Sequence, residues 1–377
     1  NCAVNEIWVA AGTYVPDEGG GQTPLDRSAT FTLQNGLALY GGFVGSEDSL
    51  YARDVNSNAS ILCGDLMGDD TPVACTQDSP DCDAFGGLCV DNACIISNNN
   101  AENSFHVVTG VPGTDGTAVI DGFTITAGNA DGLFPEDRGG GMVNDSAGLV
   151  VANCTFAGNW AGFGGGVFNQ SSSPSLTACA FIGNSTPNTG GGVFNQSSSP
   201  LLTNCTFGDN SASNAGGGML NLSNSNPTLA GCMFNGNSAT NFGGAVFNQS
   251  SSSPTMTNCI FSENSAADGG GIFSALSSSP TLTGCTFTGN SAISGGAMSN
   301  SSSSPTVANC TFNGNSATSG GAMFNISISN PTVTNCILWG NLPTQIVAVG
   351  SAPVVNYSIV QGGWSGAGGV GIVDADP

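Results

Sequence analysis

The chain has 377 residues, of which 57 are Gly and 17 Pro, and only 8% are charged. It contains no lysine; Arg27, Arg53, Arg138 and His106 are its only basic side chains, and its net charge is −23. That balance speaks against binding a phosphate backbone or an anionic membrane surface, whereas 39% hydrophobic residues at fixed intervals argue for a packed core rather than disorder.

In chain order, residues 1–130 hold strand-like runs without a tight repeat and read as irregular first coils and a cap, which a solenoid needs over its core. The chain begins at Asn1 and has no apolar run of membrane-span length, so we expect a secreted protein whose signal has been removed and no membrane insertion. Within this third, "ACTQDSPDCDAFGGLCVDNACI" (74–95) carries Cys75, Cys82, Cys89 and Cys94. So polar a segment needs staples. Disulfides suit a secreted protein, and a zinc site is the rival, although the x6 spacings from Cys75 to Cys82 and from Cys82 to Cys89 are not those of the usual C-x2–4-C knuckle. A further pair, Cys2 with Cys63, would close the N-terminus onto the first coils. Asp65, Asp69, Asp70, Asp81 and Asp83 form the densest carboxylate group in this acidic 65–95 loop, and hard oxygen ligands suit Ca²⁺. No known calcium-loop spacing is present, so a solvated acidic loop is the plainer reading.

Residues 131–341 are regular. Cysteines fall at 154, 179, 205, 232, 259, 285, 310 and 336. Two residues after each comes Phe156, Phe181, Phe207, Phe234, Phe261, Phe287, Phe312 or Leu338, and five after each comes an Asn. Fixed blocks joined by connections of variable length are the mark of stacked repeats. Three residues before each Cys stands an aliphatic side chain, which has the wrong parity to share one straight strand with Cys and Phe. The residue just before Cys is Asn or Gly in seven of eight blocks (Asn153, Asn204, Gly231, Asn258, Gly284, Asn309, Asn335; Ala178 is the exception), the types that enter the left-handed conformation cheaply. The chain should therefore bend there, between a "PTLT" strand and a "CTF" strand. Gly-rich pieces such as "GGGVFN" (164–169) and "GGAMFN" (320–325) supply a third strand.

Three short strands per 25–27 residues predict a right-handed parallel β-helix, all-β, with coils about 4.8 Å apart. Cys, Phe and the aliphatic residues should stack in the core, and Asn at the bends should form a ladder. Like charges stacked about 5 Å apart would repel in every coil, which accounts for a repeat without them. Residues 342–377 would add the C-terminal coils.

The F-x-x-N and G-G-[AG]-[IVM] pairs resemble the repeat motifs of polymorphic outer membrane proteins. A longer series, including "EIWVAAGTYVP" (6–16), "AVIDGFTITAGNA" (118–130) and "GGWSGAGGVGIVDADP" (362–377), resembles secreted bacterial right-handed β-helix repeat proteins. The resemblance covers nearly the whole chain. It implies an extracellular or cell-surface protein without an assigned reaction.

A catalytic reading finds little to work with. Residues 146–341 offer only Asp209, Glu263 and Asp268, with no basic residue. Asp209 and Glu263 share one column two coils apart, roughly 10 Å, which approaches the spacing of an inverting carboxylate pair. Both occupy a turn position otherwise held by Gly, so catalysis is not expected. Arg138 reads as a loop ion pair and His106 as structural. A column of Phe168, Phe194, Phe247, Phe273 and Phe324, interrupted by Leu220 and Ser299, follows the third strand's inward residue. Pointing outward, it would be an interaction stripe for sugars or another subunit; with the opposite parity it would be core. The outward Thr columns are too broken for an ice-binding array. Sequons at Asn153, Asn204 and Asn309 are read as chance, with the bend Asn expected to be buried. The expectation is a non-enzymatic, self-associating structural β-helix, joined end to end as a filament, with a carbohydrate-binding adhesin as alternative and a polysaccharide-active enzyme third. Its partners would be copies of itself or surface glycans, not nucleic acid.

Overall fold

The computed structural model describes residues 5–19, 21–68, 70, 72–74, 88–90, 93–95, 101–366 and 368–377, with backbone alone for the stretches between 72 and 95. The chain winds as a parallel solenoid with three long faces. Two faces are twelve-stranded sheets and the third has eleven strands.

Each coil is built as the parity argument requires. Val150–Ala152 and Ser175–Thr177 lie on the first face, Thr155–Ala157 and Ala180–Ile182 on the second, and Val167–Gln170 and Val193–Gln196 on the third. The corner between first and second faces is a single left-handed residue in every repeat, with φ of 49° at Asn153, 52° at Ala178, 53° at Asn204 and 63° at Gly231. That one residue rotates the chain direction and resets which side chains point inward. A fourth short strand, not expected from the sequence, forms after the second face in most coils, as at Trp160–Ala161 and Ser185–Thr186.

Stacking is in register. Phe156 pairs with Phe181, and Phe181 with Phe207. From Phe156 to Phe312 the rings lie 4.4 to 5.1 Å apart and nearly parallel. The aliphatic column (Val151, Leu176, Leu202), the cysteines and the third-face column (Val167, Val193, Met219) complete one continuous core, all at 2% exposure or less. Burying each such side chain contributes about 1.5–3 kcal/mol.

Polar ladders close the corners that apolar columns cannot. Asn184 donates its backbone N–H and Nδ2 to Asn210 Oδ1 at 3.1 and 3.0 Å, and Nδ2 also reaches Phe156 O at 2.9 Å. The same pattern runs upward to Asn341, whose Nδ2 is taken by Gln345 Oε1 at 2.5 Å. A second ladder links Asn144, Asn169, Asn195, Asn221 and Asn248 on the third face. A third passes backbone N–H groups to serine hydroxyls from Ser172 through Ser351. The ladder residues are therefore those five positions after Cys and those closing the third strand. The bend asparagines Asn153, Asn204 and Asn309 are exposed instead, because a left-handed corner turns its side chain away from the core. This corrects both the expected bend ladder and the expected burial of these three sequons.

The N-terminal coils use the arginines as clamps. Arg27 pairs with Asp131 at 2.6 Å, donates to Asn103 O and Asn129 O, and lies over Phe105. Arg53 pairs with Asp121 at 2.8 Å and donates to Gly41 O and Asp121 O. Among the described residues no helix is long and apolar enough to cross a membrane.

Candidate functional site

The third face has two sides. Val167, Val193 and Met219 point into the main core, and alternation sends Phe168, Phe194, Leu220, Phe247 and Phe273 the other way. The stripe does point out of the main core, but it is not exposed: these side chains are only 2–8% accessible. They form a second apolar cluster, covered by residues of the turn that precedes the Gly-rich strand. Phe163 meets Phe194 edge-on at 6.1 Å, and Phe242 stacks on Phe273 at 4.9 Å. Arg138 closes the lower end, its guanidinium 4.9 Å from the Phe168 ring and donating to Gln170 Oε1 at 2.8 Å. Arg138 also pairs with Asp137 at 3.4 Å. The open stripe expected from the sequence is thus corrected to a sealed one, because the intervening turn folds back over it.

The seal fails at one place. Along the covering column Phe242 is followed by Asp268 and then Ser294, joined as parallel bridge partners. In the stripe itself Phe273 is followed by Ser299 and then Phe324, in register. The cover changes from aromatic to polar there, while Ser299 itself stays buried. The result is an open groove of about 550 Å³ lined by Phe242, Phe273, Ser299 and Phe324, with Gln249 and Asp268 as polar neighbours. Phe324 is half-buried. The sequence carried the signal as one Ser in a Phe column, but nothing in it showed that the rest of the stripe is covered.

Asp209 and Glu263 stand at left-handed turn positions, with φ of 52° and 57°. Burial, with the negative charge of Glu263 adding to it, raises Asp209 above the usual carboxylate range. Gly236, in the left-handed region at φ 67°, lies between them in the stack, and a β-carbon there would meet Asp209 Oδ1. No basic group faces this pair: the three arginines are committed to the clamps described above. His106, its Nδ1 3.3 Å from Gly139 O, is lowered chiefly by burial.

The eight repeat cysteines are free thiols, all buried. Each sulfur sits at the inside of the corner, and Cys179 Sγ, for example, donates to Val151 O of the coil below at 3.6 Å. At the end of the column Ser358 takes the same place and accepts the Cys336 N–H at 3.0 Å. Burial, then the neighbouring Cys179, pushes the Cys154 thiol well up.

Of the expected staples, Cys63 is a free thiol, and its expected partner Cys2 lies outside the described residues. Cys63 closes a strand paired to Thr126, and burial, reinforced by Asp65 and Asp70, pushes it up to about 11. Cys2, Cys75 and Cys82 lie outside the described residues, as do the side chains of Cys89 and Cys94; the backbones of those two face each other in an antiparallel pair. Of the candidate Ca²⁺ ligands, Asp69, Asp81 and Asp83 also lie outside them. Asp65 is turned to its own loop, accepting the N–H groups of Gly68 at 2.7 Å and Asp70 at 3.1 Å, and Asp70 accepts from Asn103 at 2.9 Å. Among the described residues no three His, Cys, Asp or Glu side chains converge as metal ligands.

In-register parallel coils, charge-free ladders and a lateral groove define a β-solenoid repeat protein. The family model for the right-handed β-helix region matches residues 82–234 and 224–362, and the chain belongs to that family. Comparison with curated proteins found no match, and comparison with solved structures found none either.

Proposed function

We propose that this chain is an extracellular or cell-surface structural protein whose β-helix associates with copies of itself, end to end into a filament, and performs no catalysis. One observation carries the reading. Between residues 146 and 341 the coils contain three carboxylates and no basic side chain, while the inner columns are filled and asparagine and serine ladders run from coil to coil. Such a surface offers little acid–base chemistry and little charge repulsion between copies. A parallel stack is also translationally self-complementary, since each coil donates to the next along one direction. Heterologous contacts of that kind continue into fibres rather than closing on themselves.

Electron microscopy of the natively isolated protein at low concentration tests this. Filaments with an axial repeat of about 60 Å, the height of twelve stacked strands at about 4.8 Å, are the expected result. Separate short rods would overturn the filament reading.

A further inference from the structure

We infer that the solenoid pairs side by side with a second copy of itself, antiparallel, with the Leu133–Phe134 loop of each copy seated in the lateral groove of the other. This contact lies on the flank of the rod and shares no residue with axial growth. The loop is an insertion in the covering column: seven residues separate Ala130 from Arg138, where the next coil has only Gly162 between Ala161 and Phe163. It is a closed turn. The Glu136 N–H donates to Leu133 O at 2.8 Å and the Gly132 N–H to Glu136 O at 3.2 Å, while the Arg138 guanidinium lies 4.5 Å from the Phe134 ring. Its tip is nevertheless bare and apolar, with Leu133 88% and Phe134 69% exposed. A pre-organised tip of this kind loses little freedom on docking and can serve as the anchor of an interface.

The groove offers apolar surface to receive it. Phe242, Ala275, Phe324 and Ile326 line it, with Asp268 and Ser294 between them. Beside these lie Leu276 and Ile328, exposed and left-handed at φ of 53° and 63°, at the corner where other coils place Ser171, Ser197 or Ser302. A large apolar side chain held left-handed and facing water is unfavourable for the lone chain, and a partner's apolar tip takes that surface out of water.

Symmetry and charge set the orientation. Asp268 stands five coils above Arg138 in one column, through Phe163, Thr189, Ala215 and Phe242, a separation of about 24 Å. A two-fold axis across this face, midway between Thr189 and Ala215, brings both loops onto both grooves at once, and one contact made twice closes the dimer. It also sets Phe163 of each copy opposite Phe242 of the other, and both are half-buried. Of the 26 carboxylates 21 lie in residues 1–145, whereas residues 269–373 hold no charged side chain. Parallel pairing would set the two acidic thirds side by side; antiparallel pairing lays each beside the other copy's uncharged coils. Within the loop segment Asp131 and Asp137 are matched by Arg27 and Arg138.

Analytical ultracentrifugation and directed cross-linking test the pairing. We expect a monomer–dimer equilibrium with a Kd of about 1–100 μM, as befits a small contact. Leu133→Asp alters only an exposed tip, so it should keep the melting temperature and weaken the dimer at least about tenfold. Leu133→Cys/Ser294→Cys, treated with glutathione disulfide, should give a covalent dimer on a non-reducing denaturing gel. Neither single variant should do so, because each position faces the other only across the two-fold axis. A monomer at every concentration up to about 200 μM, a dimer that Leu133→Asp leaves unchanged, or cross-linking no greater in the double variant than in the single ones would each overturn the pairing. The denaturing gel dissolves axial contacts, so the filament reading and this one fail separately.

Discussion

Asn237 is the sharpest place to test whether the ladders hold the coils. It is fully buried. Its backbone N–H and Nδ2 donate to Asn264 Oδ1 at 3.0 and 2.9 Å, and Nδ2 reaches Phe207 O at 2.9 Å. Its Oδ1 accepts from the Asn210 backbone N–H at 3.2 Å and from Asn210 Nδ2 at 2.9 Å. Asn237→Ala removes the acceptor for two buried donors of Asn210 and the donor to Phe207 O. At about 1–3 kcal/mol for each stranded donor, with some relaxation toward water, the expected loss is about 4 kcal/mol. Urea unfolding followed by far-UV circular dichroism in reducing buffer measures it, with the exposed Thr228→Ala, expected within about 0.5 kcal/mol of the parent, as control. The double variant Asn237→Ala/Asn264→Ala should cost less than the sum of the two single changes by about 1 kcal/mol or more, because the bond between them is lost only once. A single-variant cost under about 1 kcal/mol, or strict additivity, would refute the claim that each rung depends on the one above.

Asp209→Gly should stabilise the fold by about 1 kcal/mol, since it relieves a left-handed residue and removes a carboxylate facing Glu263. An acid raised in the folded state stabilises most when protonated, so the parent should lose stability as pH rises from 3.8 through the folded-state value, and Asp209→Gly should lack that slope. Melting temperatures between about pH 3 and 6 check both. His106 has the opposite sign: buried and neutral, it contributes fully above its ordinary 6.5, and that contribution is lost as pH falls below it towards the lowered folded value. His106→Gln should flatten the acid limb of a melting-temperature profile. The eight ladder thiols should resist Ellman's reagent in the native protein and react once urea unfolds it; prompt native labelling would refute their burial.

The corner between the first two faces was legible because it is a single-residue event with a narrow chemical requirement. Asn153, Asn204, Gly231 and their equivalents are the residues that tolerate φ near 50–65°, and they occur where the inward parity breaks. The main core was legible for the same reason, since Cys, Phe and aliphatic positions recur at fixed offsets. The stripe was not. Parity distinguishes inside from outside for one straight strand, but it says nothing about whether a neighbouring turn covers the outside. Phe163 and Phe242 do so from a segment whose length and residues vary between coils, and no pattern in the sequence links them to Phe194 or Phe273. The bend asparagines misled in a related way: a residue type suited to both ladders and left-handed turns was assigned to both roles, and the backbone geometry permits only one.

A stacked repeat gives its exceptions a meaning that a globular core does not. Ser358 ends the cysteine column and still supplies the acceptor for the N–H below it, so the substitution preserves a rung. Asp209 and Glu263 break a glycine column and introduce strain and repulsion with no group on the described chain that relieves either. Ser299 breaks the phenylalanine column in the coil where Ser294 succeeds Asp268 in the covering column. One substitution alone would leave a cavity to be filled or a ring to be exposed. Ser294 and Ser299 together line a lateral groove with Phe242 and Phe324, so this exception, unlike the other two, changes the relief of the solenoid's surface.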